Sequence, residues 1–313
     1  VPALERAAMP ELPASRTVDR CRICGSRELR RYLDMGRAPL ANSYVDPAAP
    51  AAAEFAEELC LQLCLDCGLS QLTKVVAPER LFRHYLYVSG TTDTMRAHFA
   101  ALARDAARAA GAGRGDLALD LASNDGTLVA AFSTHGLEAL GVDPAENLAA
   151  EANARGRATW AGYWSSELAA RVVREKGRPK IVTAANVAAH VDDLAGFAGA
   201  VAECLAPGGV AVFEFPWVVD FIERTEFDTA YHEHLSYLGL APLARLLAAR
   251  GLEAWDADVF PDIHGGTLRV WAARAGERAA TARLREAARR EETFGLRELG
   301  VYQAFARRAL ENR

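Results

Sequence analysis

Two Cys-x-x-Cys pairs constrain this chain more than any other feature: "CRIC" at Cys21 and Cys24, and "CLDC" at Cys64 and Cys67. Each pair lets two thiolates reach one ion from a tight turn, and two such turns complete a tetrahedral sulfur site. The stretch between them must then fold back until its ends meet. Thiolate softness and a closed four-sulfur set favour zinc. Gly25 and Gly68 each follow a pair, where a knuckle often needs a permissive backbone. A redox Cys-x-x-Cys, or two unconnected pairs, are the alternatives. A four-thiolate zinc has no open coordination position, so the ion is expected to hold structure and do no chemistry. Cys60 and Cys204 are left over and are expected to pack as small apolar groups.

Zinc ribbons often bind nucleic acid, but residues 16 to 74 carry eight Lys+Arg against eight Asp+Glu, and the whole chain carries a formal charge of -5. Such a balance predicts weak phosphate attraction, so no nucleic-acid partner is expected. No apolar run is long enough to span a bilayer, and the N-terminus lacks a secretory layout. Six cysteines in 313 residues are no disulfide scaffold, which favours a reducing, cytoplasmic setting. At 51% apolar the chain can bury a large core, and its length suggests about two domains.

From about residue 95, helical and strand patterns alternate, the signal for a parallel sheet covered on both faces. "MRAHFAALARDAARAAG" reads as a helix ended by glycine. "DLALDLASNDGTLVAAF" reads as a buried strand, a turn and a helix, and "LEALGVDPA" as a second strand ending in Asp143. Further strands are expected at "KIVTAANV", "GGVAVFEFP", "LEAWDADVF" and "TLRVWAARA". Ligands of such sheets sit beyond the carboxyl ends of the strands, at the switch point. That puts Asp120, Ala122, Ser123, Asn124 and Gly126 of the first turn against a ligand, with Asp143 accepting both hydroxyls of a ribose. The turn is not G-x-G-x-x-G, and a pyrophosphate needs that close approach. A ribose-bearing ligand without phosphate, S-adenosylmethionine, fits better; an ordinary acidic loop is the alternative.

In order along the chain, "CRICGS", "CLDCGLSQL", "YLYVSGTTDTMRAHF", "LASNDGTLVAAF", "GVDPAENLA", "AANVAAHVDD", "APGGVAVFEFP", "YHEHLSYLG" and "HGGTLRVW" resemble the zinc-containing, S-adenosylmethionine-dependent C-methyltransferases of nucleotide-linked 4-keto-deoxysugars. The resemblance implies a Rossmann-like α/β fold of the class I methyltransferase kind. It divides the chain into a flexible tail (1–15), a zinc-binding domain (16–80), a methyltransferase domain (81–275) and a helical segment (276–313). Family members usually continue into a C-terminal α/β domain opening on a glycine-rich stretch, which is expected to be absent here. Pro144 and Asn147 in "GVDPAENLA" and Asn186 in "AANV" join the cofactor candidates through the resemblance. Oligomeric state is not legible.

"YHEHLSY" holds two of the seven histidines and follows the strand "GGVAVFEFP" by about fifteen residues, on the carboxyl side of the sheet. A second metal held by His232 and His234, ordinary packing, and proton transfer are its three readings. Carbon beside a ketone becomes a nucleophile only when a base takes its α-proton and a donor stabilises the enolate oxygen. An imidazole is suited to this, with an ordinary pKa near 6.5. The resemblance points to His234 as base and to Tyr231 as donor to the oxyanion. By the same resemblance Glu233 is expected to bind a sugar hydroxyl or orient the histidine, and His232 to face substrate. Tyr87 and Tyr85 of "YLYVSG" are expected to face substrate, with Tyr87 also near the chemistry, or else to pack between domains. His190 of "ANVAAH" and His264 of "HGGTL" complete the substrate-facing set. An O- or N-methyltransferase on the same scaffold, or a non-catalytic zinc-containing module, are the competing functions.

Overall fold

The computed structural model describes residues 14–43, 54–82 and 88–312. Strands β1 (Ser15–Thr17), β2 (Leu29–Pro39), β3 (Ala56–Cys64), β4 (Ser70–Leu72) and β5 (Lys74–Val76) surround the cysteines. β2, β3 and β4 form an antiparallel meander, while β1 pairs with β5. Ser15, expected in the tail, is thus paired with Val76.

After helix α1 (Pro78–Phe82), helix α2 runs over Asp93–Ala110. Its start is fixed by Thr92, whose side chain accepts from the Met95 N–H, and its end by Gly111 in the left-handed conformation at φ 54°. The strands β6 (Leu117–Leu121), β7 (Glu138–Asp143), β8 (Thr159–Ala161), β9 (Ile181–Ala185) and β10 (Val210–Pro216) then run parallel. Between them lie α3 (Thr127–Ser133), α4 (Glu146–Ala154), α5 (Ser166–Lys176) and α6 (Leu194–Cys204). Past α7 (Val218–Glu223) comes β11 (Ser236–Tyr237), and then α8 (Leu240–Ala248). β12 (Leu252–Phe260) and β13 (Thr267–Arg274) make an antiparallel hairpin at one edge of the main sheet. The resulting order is β12-β13-β10-β9-β6-β7-β8. It reverses direction between β6 and β9, the switch point where a ligand crevice opens. Every position of β6 is buried, as a central strand covered on both faces requires.

β11 does not join the main sheet. It pairs antiparallel with β4, Ser236 opposite Gln71 and Tyr237 opposite Ser70, so the zinc sheet has the order β11-β4-β3-β2. A single apolar cluster runs from Leu33, Leu61 and Leu63 of that sheet through Phe215 and Trp217 to Tyr302 and Phe305. The last two belong to α10 (Leu299–Glu311), which follows α9 (Ala282–Phe294). A second cluster, centred on Phe99, Leu102 and Phe132, fills the opposite face under α2 and α3.

The helix α9 is fastened by one carboxylate. Glu291 is buried and accepts from the Trp217 indole N–H at 2.7 Å, from the Ala241 N–H at 2.9 Å and from the Leu240 N–H, at the start of α8. A negative charge suits the positive end of a helix, and charged acceptors make the stronger hydrogen bonds. Glu291→Ala would leave the buried indole donor unsatisfied, so a loss of about 2 kcal/mol or more is expected. A lowered urea midpoint checks it.

Candidate active site

All four sulfur atoms of Cys21, Cys24, Cys64 and Cys67 lie within 4.8 Å of one another, with Cys21 and Cys67 at 3.4 Å and Cys24 and Cys64 at 3.5 Å. Tetrahedral zinc at its usual bond length needs sulfurs about 3.8 Å apart, so the set fits. No disulfide links them. Their protons show why a cation is wanted. The contact with Cys67 lowers the Cys21 thiol, while burial pushes the Cys64 thiol up. Four thiolates in this space need a dication among them.

Beyond the carboxyl ends of β6, β7 and β9 opens a cavity of about 890 Å³, at the upper part of the usual range for small-molecule sites. Ala122, Asn124, Asp143, Pro144 and Asn186 line its cofactor end. Asp143 accepts the Asn124 N–H at 2.7 Å with one oxygen and the Ala145 N–H at 2.8 Å with the other. Each oxygen keeps a second lone pair for a diol. Three non-glycine residues at these strand ends have positive φ: Ala122 at 55°, Asn124 at 53° and Asn186 at 55°. Such backbone strain persists where the surroundings enforce it, characteristically at ligand sites. The Oδ1 atom of Asn186 is buried without a hydrogen-bond partner among the described residues. These features suit a polar nucleoside.

Other candidates lie elsewhere. Asp120 is not on the cavity wall; it is buried within β6 and accepts from the Thr183 hydroxyl at 2.6 Å. Burial raises its carboxyl to about 7. Ser123 is buried against β7, where a side chain at Gly141 would run into it. Gly126, at φ 72°, starts α3 and leaves room for Arg157. Asn147 is on the exposed side of α4. The turn is held by Asp125, which caps Thr127 and receives Arg157. Tyr163 and Trp164, after the short strand β8, also line the cavity. They belong to "TWAGYW", the end of a third strand whose aromatic residues are the signal that could have marked them.

At the other end stand Tyr231, His234, His190 and His264. The Thr229 carbonyl lies 2.9 Å from Nδ1 of His234 and can only accept, so that nitrogen carries the proton. Nε2 is therefore the basic atom of the neutral ring, and the Tyr231 hydroxyl donates to it at 2.9 Å. The His190 ring is 4.9 Å from that of His234, centre to centre. Burial lowers His234 to about 4, and burial plus the neighbouring His234 lowers His190 to about 3. Both rings are neutral at pH 7.

The loop bearing His234 is held by the zinc sheet. His232 turns away from the cavity, buried, its Nε2 donating to the Glu57 carbonyl at 3.2 Å. Glu233 is also off the cavity wall and accepts from the Asn42 amide at 2.7 Å, while Asn42 itself lines the cavity. The Leu72 N–H donates to the Leu235 carbonyl at 3.0 Å, leading into the β11–β4 pairing. No sequence signal marked Asn42 or this anchoring. The glycines after His264 shape the hairpin: a Cβ at Gly266 would sit 2.5 Å from Asp220. Tyr85 and Tyr87 lie outside the described residues. The second-metal reading of "YHEHLSY" finds no support, since the four cysteines are the sole such ligand cluster among the described residues.

Three family models match in succession: a putative zinc binding domain at residues 21–82, a methyltransferase domain at 95–257, and a C-methyltransferase C-terminal domain at 262–313. The last takes in β13, α9 and α10. C-methyltransferase NovU from Streptomyces niveus is 32% identical over 292 residues, 93% of this chain and 69% of that protein. The chain belongs to the zinc-containing, S-adenosylmethionine-dependent C-methyltransferases. Among solved structures, the PH0226 protein of Pyrococcus horikoshii OT3 overlaps 63% of this chain and 98% of its own at TM-score 0.48 and 16% identity. Magnesium protoporphyrin IX methyltransferase from Synechocystis PCC 6803 overlaps 57% of this chain and 83% of its own at TM-score 0.46 and 13% identity. Overlaps this loose bear on neither substrate nor mechanism. No described helix of this C-methyltransferase is long and apolar enough to cross a membrane.

Cys64→Ser should abolish stoichiometric zinc, measured by atomic emission, and lower the melting temperature, because ligand loss removes folding free energy. The depressed histidines give a second expectation. Between pH 6.5 and about 4 the unfolded chain binds protons that folded His190 and His234 refuse, so stability falls as pH falls through that window. Urea midpoints of the wild type should drop there, and those of His190→Gln should drop less.

Proposed function

We propose that this C-methyltransferase places a methyl on the carbon beside the ketone of a nucleotide-linked 4-keto-6-deoxysugar, with dTDP as the nucleotide. The sugar class is carried by the resemblance of the motifs in their order along the chain. The chemistry is carried by one observation: a neutral imidazole whose protonated nitrogen is pinned, and whose basic nitrogen faces a tyrosine hydroxyl beside the cavity. When bound, S-adenosylmethionine supplies an electrophilic methyl on a sulfonium and leaves as a neutral thioether. Asp143, Asn124, Ala122 and Asn186 would hold it.

The substrate ketone competes for the Tyr231 hydroxyl. Once that hydroxyl donates to the carbonyl oxygen, Nε2 of His234 is released to take the α-proton. The C–H electron pair moves into the enolate, whose charge the Tyr231 O–H stabilises. The new imidazolium carries one proton on each nitrogen and is steadied by the Thr229 carbonyl. A low intrinsic basicity is the consequence of burial, so the stronger hydrogen bond to the developing oxyanion has to supply part of the driving force. His190 adds a neutral wall, and Asn42, fixed by Glu233, offers an amide to a sugar hydroxyl.

In deuterated buffer the wild type should exchange the α-hydrogen of the keto sugar without methyl transfer. His234→Asn should slow exchange and turnover by roughly 100-fold or more, and Tyr231→Phe by roughly 10- to 1,000-fold. A one-methyl mass gain on oxygen or nitrogen, with no exchange and full activity in His234→Asn, would select O- or N-methylation and overturn the reading.

A further inference from the structure

Arg22 sits between the two ligands of the first knuckle, yet nothing in zinc binding calls for a charge there. The matching position of the second knuckle is Leu65. The Arg22 side chain is only 3% exposed, and burying a guanidinium costs free energy that hydrogen bonds must offset. Its Nη1 donates to the Leu235 carbonyl at 3.1 Å, and to the Leu72 carbonyl at a longer 3.4 Å. Its Nε donates to Asp192 at 3.3 Å. Leu235 is the neighbour of His234, and Asp192 follows His190 by two residues. The knuckle backbone is itself tied to β4: the Arg22 N–H donates to the Gln71 side chain at 3.0 Å, and Gln71 donates to the Arg20 carbonyl at 3.1 Å. Gln71 stands opposite Ser236 in the β11–β4 register.

The geometry points to Arg22 as a positioning residue that transmits the rigidity of the zinc knuckle to both halves of the imidazole pair, through Leu235 for His234 and through Asp192 for His190. The inference rests on His234 as base, but its direct readout does not. Arg22 touches none of the groups assigned to substrate or cofactor chemistry. Its contribution is to keep the loop and the turn in register, at a site where small misplacements of the reacting groups carry large rate penalties.

Arg22→Met and Arg22→Lys are compared with the wild type in zinc content, S-adenosylhomocysteine affinity, amide hydrogen exchange over residues 229–238, and kcat and KM on a dTDP-4-keto-6-deoxysugar. The expected result for Arg22→Met is full zinc, unchanged affinity, faster exchange in 229–238 with the knuckle peptide unaltered, and kcat at least tenfold lower at similar KM. Arg22→Lys, which keeps one donor, should recover part of both losses. Unchanged exchange over 229–238 overturns the inference, and so does loss of zinc or fold in both variants, which would make Arg22 a structural strut. If His234→Asn is fully active, the proposed chemistry fails, while the exchange result still decides whether Arg22 holds the loop.

Discussion

Two residue pairs, Ser236 with Gln71 and Tyr237 with Ser70, tie the loop that carries His234 to the zinc sheet. The segment 227–235 has a single short turn of helix, over Phe227–Thr229, and no strand of its own, and its turns are closed by internal bonds such as the His234 N–H on the Tyr231 carbonyl. It is tied to the rest of the fold by what lies at its end. Once β11 is added to β4, the Leu235 carbonyl is fixed on the Leu72 N–H, and the turn before it, closed by the His234 N–H on the Tyr231 carbonyl, sorts the side chains. His232 and Glu233 then reach the zinc sheet and Asn42, while Tyr231 and His234 are left to the cavity. A metal-binding module and a cofactor-binding sheet thus share one seam, and the His234 ring lies on it.

The polar groups around this seam obey two different rules. Desolvation dominates at His190 and His234 and keeps both rings neutral. Glu214 of β10 is as deeply buried but stays charged. Burial pushes its carboxyl up, while His98 at 2.8 Å and Arg269 at 2.7 Å outweigh it and hold it below the ordinary value. The Glu214 carbonyl in turn receives the N–H of strained Asn186 at 2.7 Å. The Glu214–Arg269 ion pair, with His98 beside it, keeps a charge inside the fold, while the His190–His234 pair is left neutral.

Most of the architecture was legible, because it is written in periodicities and spacings that act locally. The four cysteines, the buried strands and the glycine-ended helix each follow from a few neighbouring residues. Asp143 lines the cavity as the same logic expects, since the last residue of the second strand in such a sheet opens on the crevice. Asp120 misled for a physical reason. It precedes the turn by one pleat, so its side chain is directed into the sheet toward Thr183, and spacing alone does not reveal which side of the pleat a carboxylate occupies. His232 misled for a different reason: residues 231–234 form a tight turn closed by the His234 N–H on the Tyr231 carbonyl, and motif resemblance does not say which side chains of a turn face the ligand. The strand β11, two residues long, has no detectable pattern, and its partner lies far away in sequence. The anchoring it provides was therefore beyond any local reading, as were Asn42 and the carbonyl of Thr229.

This geometry gives a metal held by four cysteines a structural task. A four-stranded sheet with one strand of two residues and another of three has little area to bury, and small units of this kind commonly need a metal to fold firmly. Without such a clamp, the ordering entropy of the loop would fall on a handful of hydrogen bonds. Four thiolates closing on one cation fix the knuckles, the knuckles fix β3 and β4, and β4 fixes Leu235. On the opposite side of the same sheet, Tyr32 of β2 packs its ring 4.9 Å from that of Tyr302 of α10, so the C-terminal helices press on the same element. The position of the His234 ring is thus tied, through Leu235 and β4, to coordination chemistry and packing in a separate sheet.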